Sequence, residues 1–193
     1  MDDDRASRGR PEPREPSSRQ RILDAALRLF GREGYEETSV AELARAAEVS
    51  KGLVYHYFDT KRDVLEAVMA RGTERLEAAL ARDGTGRAPA APAALVMEVL
   101  GLVAEDLLWW RLFFRLRMHP DLGRHSGIAS RGRSLEEALE RSLGAAGAAE
   151  PRRQARALAA AIEGTAQRYV LAPDDYPLVD VAEAIVSAHV PPP

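Results

Sequence analysis

SVAELARAAEVSKGLVYHYF, residues 39–58, reads as two short helices joined by a tight turn. Ser39 stands three residues before Glu42, the spacing of a capping box, in which the two side chains each satisfy an amide left unpaired at the start of a helix. The first helix therefore opens near Val40. Ser50 is the next capping residue, so Ala47 to Ser50 form the turn and Lys51 to Phe58 a second helix of about two turns. Leu43, Ala44, Ala47, Val49 and Val54 face inward and lock the pair, and the small Ala44 lets the second helix come close. Lys51, Gly52, Leu53, Tyr55, His56 and Tyr57 remain outward. This is the pattern of a helix-turn-helix, whose second helix reads the major groove, and it implies a regulator of transcription.

On the amino-terminal side, a helix beginning at Ser17 or Ser18 carries Ile22, Leu23, Ala26, Leu29 and Phe30 on one apolar face and stops at Gly34. On the carboxyl side, a helix starting at Asp59 or Thr60 carries Val64, Leu65, Val68, Met69, Leu76 and Leu80, long enough to leave the reader unit and enter the next. The Gly- and Pro-rich stretch 83–92 is a loop. Further helices are expected over about 93–107, 129–143, 152–171 and 178–189, with the aromatic run LLWWRLFFRLRM at 107–118 between them. The fold class is all-α, with a flexible arm at 1–16, a three-helix DNA-binding domain at 17–62, and a helical ligand-binding and dimerisation domain at 63–193.

Composition agrees. The chain has 193 residues, 46% hydrophobic and 30% charged, enough to bury a core. No apolar run approaches the roughly 20 residues needed to span a bilayer, and the amino terminus lacks the hydrophobic centre of a signal peptide. With no cysteine, disulfides, thiolate metal sites and cysteine nucleophiles are excluded, in keeping with a reducing cytosol. Only Lys51 and Lys61 among 27 basic residues are lysine, and alanine is abundant, a bias of GC-rich bacterial genomes. The net charge of −3 conceals a local excess: Arg5 to Arg32 holds eight arginines against three acids, a stretch suited either to phosphates or to a solvated tail.

The stretch RILDAALRLFGREGYEETSVAELARAAEVSKGLVYHYFDTKRDVLEAVM, residues 21–69, resembles the amino-terminal DNA-binding domain of TetR-type repressors, with that family's VS-x-G-x-x-Y-x-YF-x-x-K pattern at Val49 through Lys61. Glu48 departs from it, standing where the family usually has a turn glycine. The resemblance, taken with what faces outward, assigns Lys51, Gly52, Leu53 and His56 to base edges, and Tyr55, Tyr57, Lys61, Thr38 and Ser39 to phosphates. It also implies a homodimer on double-stranded operator DNA, released by a small molecule.

For that ligand the candidate walls are Trp109, Trp110, Phe113 and Phe114, with Met97 and Met118 as fillers, which favours a hydrophobic or aromatic compound; Arg111 or Arg115 would orient an acidic group. The same spacing also serves a closed core. Two readers on a two-fold axis span half-sites roughly 34 Å apart, so a dimer is expected. Its candidate residues are Leu158, Ile162 and Tyr169 in one carboxyl-terminal helix and Ile185 in the last. No nucleophile elbow, phosphate loop or HExxH pair is present, and His119, His125 and Asp121 lack a further ligand at metal spacing. No catalytic residue, metal or cofactor is therefore expected. The alternative is a DNA-binding protein whose second domain only dimerises or binds a protein partner.

Overall fold

The computed structural model describes residues 16–81, 90–119, 121–122 and 128–190. The arginines of the arm before Pro16, most of the loop 83–92, His125 and the terminal prolines lie outside them. Among the described residues the regular structure is helical throughout: α1 Ser18–Arg32, α2 Val40–Ala46, α3 Lys51–Tyr57, α4 Lys61–Leu80, α5 Pro92–Glu105, α6 Leu107–Arg117, α7 Ile128–Ala145, α8 Pro151–Leu171 and α9 Leu178–His189.

Side-chain caps set most of these starts. Ser17 with Gln20, Ser39 with Glu42 and Thr60 with Asp63 form reciprocal capping boxes on α1, α2 and α4, and Ser50 alone caps α3. Backbone and hydroxyl hydrogen bonds from Ser39 hold the Glu42 carboxyl below its usual range. Pro92 and Pro151 open α5 and α8, where a missing amide hydrogen costs nothing. Gly34 ends the first helix with φ of +118°, a backbone angle that a side chain disfavours.

The expected helix over 93–107 ends earlier, at Glu105. Asp106 breaks it with φ −140° and ψ 64°, and its carboxylate accepts the Trp109 amide at 3.1 Å, so the aromatic run begins a helix of its own. In the turn between α2 and α3, Glu48 adopts φ +55° and its amide donates to the Arg45 carbonyl at 3.2 Å. A left-handed angle costs a non-glycine residue about 1–2 kcal/mol, partly offset because glycine has more freedom to lose on folding. Glu48→Gly is therefore expected to stabilise the protein by about 0.5–1 kcal/mol, a rise in Tm of roughly 1–4 °C in a thermal melt.

Ile22, Phe30, Leu43, Val54, Val64 and Leu65 fill the reader unit, and Met69 and Leu76 of α4 carry the same core into the second unit without a gap. There α8 lies centrally, packed against α5, α6, α7 and α9. That position keeps three of the four expected dimer residues inside the protomer. Leu158 and Ile162 are completely buried within one protomer and Ile185 nearly so, while Tyr169 is half-buried. Their spacing marked a covered face, and what covers it is the chain's own α5, α6, α7 and α9.

Candidate nucleic-acid interface and ligand cavity

Helix α3 is pinned from beneath by Val54 and Phe58, each at most 5% exposed, which leaves the remaining face to solvent. Lys51, Gly52, Tyr55, His56 and Tyr57 are exposed and Leu53 half-buried. Tyr55 and Tyr57 are 47% and 40% exposed, so their rings do not serve the core. The Lys51 ammonium lies 5.9 Å from the centre of the Tyr55 ring, and His56 meets Tyr57 edge to face at 5.2 Å. A Cβ on Gly52 would have only the Ser50 hydroxyl near it, at 3.9 Å. Packing therefore does not require glycine there, although glycine inside a helix costs about 0.5–1 kcal/mol against alanine. A bare backbone at the outer face suits close approach by another molecule. Ser39, at the start of α2, is also exposed.

Two of the expected phosphate contacts are spent inside the protein. Thr38 is 1% exposed and its hydroxyl donates to the Gly34 carbonyl at 2.7 Å. Lys61 Nζ donates to the carbonyls of Tyr35 at 2.7 Å, Thr38 at 3.1 Å and Glu36 at 3.3 Å, and sits 4.2 Å over the Tyr35 ring. Those carbonyls belong to the bend between α1 and α2, which has no helix to satisfy them. Lys61 thus ties that bend to the start of α4. Lys61→Ala is expected to lower stability by about 1–3 kcal/mol in urea melts, and to leave the salt slope of DNA binding unchanged, against the loss of about one unit that a phosphate contact implies.

In the second unit Trp110 and Phe114 line an apolar cavity of about 30 Å³ with Leu76, Val103, Leu135 and Ile162; Glu163 is its one charged wall and pairs with Arg117 at 2.8 Å. The other expected ligand residues lie elsewhere. Trp109 and Phe113 are buried and stacked on each other at 5.3 Å, and Trp109 Nε1 donates to the Val68 carbonyl at 3.3 Å. Met97 and Met118 face outward, 40% and 79% exposed. The aromatic run wraps a helix, so only part of it reaches any one side. The cavity is no larger than a water or two would need, whereas drug-sized ligands occupy roughly 300–1,000 Å³.

Sequence reasoning missed how tightly α6 holds the reader unit. A Cβ on Gly31 of α1 would lie 3.1 Å from the Leu108 side chain, and one on Gly72 of α4 would lie 2.0 Å from Trp109 Nε1. The only signal for this was two glycines inside helical patterns. His119 Nδ1 accepts the amides of Asp121 and Leu122, both at 3.3 Å, closing a turn after α6. No helix among the described residues is long and apolar enough to cross a membrane.

Comparison with known proteins supports the reader unit first. Residues 22–68 match the family model for bacterial regulatory proteins of the tetR family. The fold is shared with a TetR-like transcriptional regulator from Rhodococcus sp. RHA1, at a TM-score of 0.71 and 28% identity, over 90% of this chain and 95% of that one. It is also shared with the SmeT protein of a SmeT–triclosan complex, at a TM-score of 0.69 and 22% identity, over 91% and 93% of the two chains. The likeness in sequence extends well beyond the helix-turn-helix: the HTH-type transcriptional regulator BetI of Cronobacter sakazakii is 31% identical over 164 residues, 78% of each chain. A chain that keeps this likeness from its reader helices through most of its second unit belongs to the TetR family of bacterial transcriptional regulators, which act by binding DNA and not as enzymes.

Proposed function

We propose that the protein is a cytoplasmic homodimeric repressor that holds operator DNA through α3 and leaves it when a small apolar molecule binds the second unit. The division is the one expected from sequence, an arm at 1–16, a reader at 17–62 and a sensor and dimerisation unit from 63 onward, with α4 belonging to both. The observation that carries the DNA-reading part is the exposed set Lys51, Gly52, Tyr55 and His56 on a helix anchored beneath by Val54 and Phe58. Lys51 donates to guanine acceptors, Leu53 meets a thymine methyl, and Tyr55 and Tyr57 hold phosphates, Ser39 joining them only if its hydroxyl leaves the Glu42 carboxylate. Lys51→Ala is expected to relax preference at particular base pairs by about 1–3 kcal/mol each, read by competition among single-base variants of a bound duplex. Equal loss on every duplex would exclude base reading by Lys51.

Release follows from the same packing. The fold shared with SmeT admits a ligand in that protein, whereas the cavity beside Trp110 leaves room for only about 30 Å³. Admitting a compound there requires α6 to yield, and α6 bears on α1 through Leu108 and on α4 through Trp109. A ligand that binds better when α6 is displaced favours a different placing of the reader, because only differential affinity shifts a conformational equilibrium. Duplex binding with and without a panel of apolar compounds, alongside quenching of Trp110, tests this. Quenching without release favours a second unit that only dimerises or binds a partner.

For the dimer we take the outward face of α8. Ala157, Ala160 and Gly164 are exposed and Ala161 half-buried along it, and Val179 at the start of α9 is 59% exposed. Among the described residues nothing lies within 4 Å of a Cβ at Gly164, so a second copy has room to come close there.

A further inference from the structure

Beside the internal cavity, α1, α6 and α8 bound an open groove of about 670 Å³. Arg32, Arg111 and Arg115 enter it and, among the described residues, no carboxylate lines it. Arg111 Nε donates to the Val170 carbonyl at 3.3 Å, in the last turn of α8, and its other donors have no protein acceptor among the described residues. Arg32 and Arg115 make neither an ion pair nor a hydrogen bond among the described residues. Between the guanidiniums the surface is apolar: Phe114, Met118 and Leu171 line the groove, the last two among the most exposed large hydrophobic side chains of the described chain.

Three positive charges on an apolar surface, none of them in an ion pair among the described residues although Arg115 also borders the neighbouring hollow of Glu33, Glu36 and Glu37, are complementary to a molecule with one negative end and an apolar body. An arginine fork matches both oxygens of a carboxylate, and exposed apolar patches rimmed by charge mark binding sites. We infer that this groove binds a free organic carboxylate, its head between Arg111 and Arg115 within reach of Arg32, its body over Phe114, Met118 and Leu171. The groove includes Gly31, where Leu108 of α6 rests on α1, so its occupant touches the contact that places the reader. Binding itself does not depend on the release proposed above; only the regulatory consequence rests on that reading.

Calorimetric titration of the full chain with decanoate, decanol and decyltrimethylammonium tests it. Decanoate is expected to bind once per chain, decanol about tenfold or more weaker, and the ammonium not measurably. Arg115→Gln and Arg32→Gln, which break no contact in the protein, are each expected to weaken decanoate about five- to tenfold at unchanged Tm. Equal binding of decanol and decanoate, or indifference to both substitutions, overturns the proposal. It also fails if Arg115→Gln leaves decanoate alone and weakens all duplexes alike, which assigns the arginines to phosphates, or if Leu171→Asp dissociates a dimer, which makes the groove a contact between copies. If decanoate binds with the expected arginine dependence and the operator stays bound, the site stands and the release reading falls.

Discussion

Gly72→Ala is expected to cost about 2–4 kcal/mol although it adds a single methyl group. The new carbon would fall 2.0 Å from Trp109 Nε1 and 2.2 Å from Trp109 Cε2, and a buried indole has nowhere to swing. Trp109 is stacked on Phe113 at 5.3 Å and meets Trp110 edge to face at 4.9 Å, so displacing it disturbs all three rings. Its hydrogen bond to the Val68 carbonyl is lost at the same time. Gly101→Ala is the control: nothing lies within 4 Å of a Cβ there, and replacing a helical glycine with alanine is worth about 0.5–1 kcal/mol. Urea melts of the two variants should therefore move in opposite directions. Because Trp109 joins α6 to the connector α4, Gly72→Ala is also expected to weaken operator binding by more than its folded fraction explains. Equal and small shifts for both variants would remove the α4–α6 contact from the account.

The second large effect is expected at Gly164. Gly164→Glu places a charged side chain on the outward face of α8, where nothing among the described residues lies within 4 Å of a Cβ, so the folded chain should tolerate it or gain slightly in helix propensity. In a dimer built on that face, however, two carboxylates are buried near the symmetry axis without partners. The variant is expected to run as a monomer in light scattering and to lose about 10²- to 10⁴-fold in affinity for a two-half-site duplex, the gain that linking two modules supplies. Ile162→Glu does not make the same test. Ile162 is 1% exposed inside the protomer, and a charge there is expected to unfold the chain. A dimeric Gly164→Glu protein would place the interface elsewhere.

What was legible in the sequence was mostly local chemistry. Ser17, Ser39, Ser50 and Thr60 announce the starts of α1 to α4 because a cap acts on amides two or three residues away, a range the sequence states directly. The break at Asp106 was obscured by apolar residues on both sides, which continue a helical pattern across it. Glu48 was visible as the departure it proved to be, a side chain at a positive angle. Contacts over longer separation were not legible. Nothing in the residue type of Lys61 tells whether its ammonium meets phosphates or the carbonyls of Tyr35, Glu36 and Thr38, 23 to 26 residues back. Likewise, periodicity on α8 gave the buried side with Leu158 and Ile162 correctly, but a buried side inside one chain and one between two chains follow the same spacing. The aromatic run was ambiguous for the same reason, and only Trp110 and Phe114 of it face the internal cavity.

Selecting bound duplexes from a random pool with the full chain, then repeating the selection with Lys51→Ala, tests most directly the central claim that paired α3 helices read DNA. Two half-sites related by two-fold symmetry, centred about one helical turn of roughly 34 Å or a multiple of it apart, should be enriched, with the Lys51→Ala protein losing preference at the same position in both halves. Enrichment of a single unsymmetrical site, or an identical motif from both proteins, would contradict it.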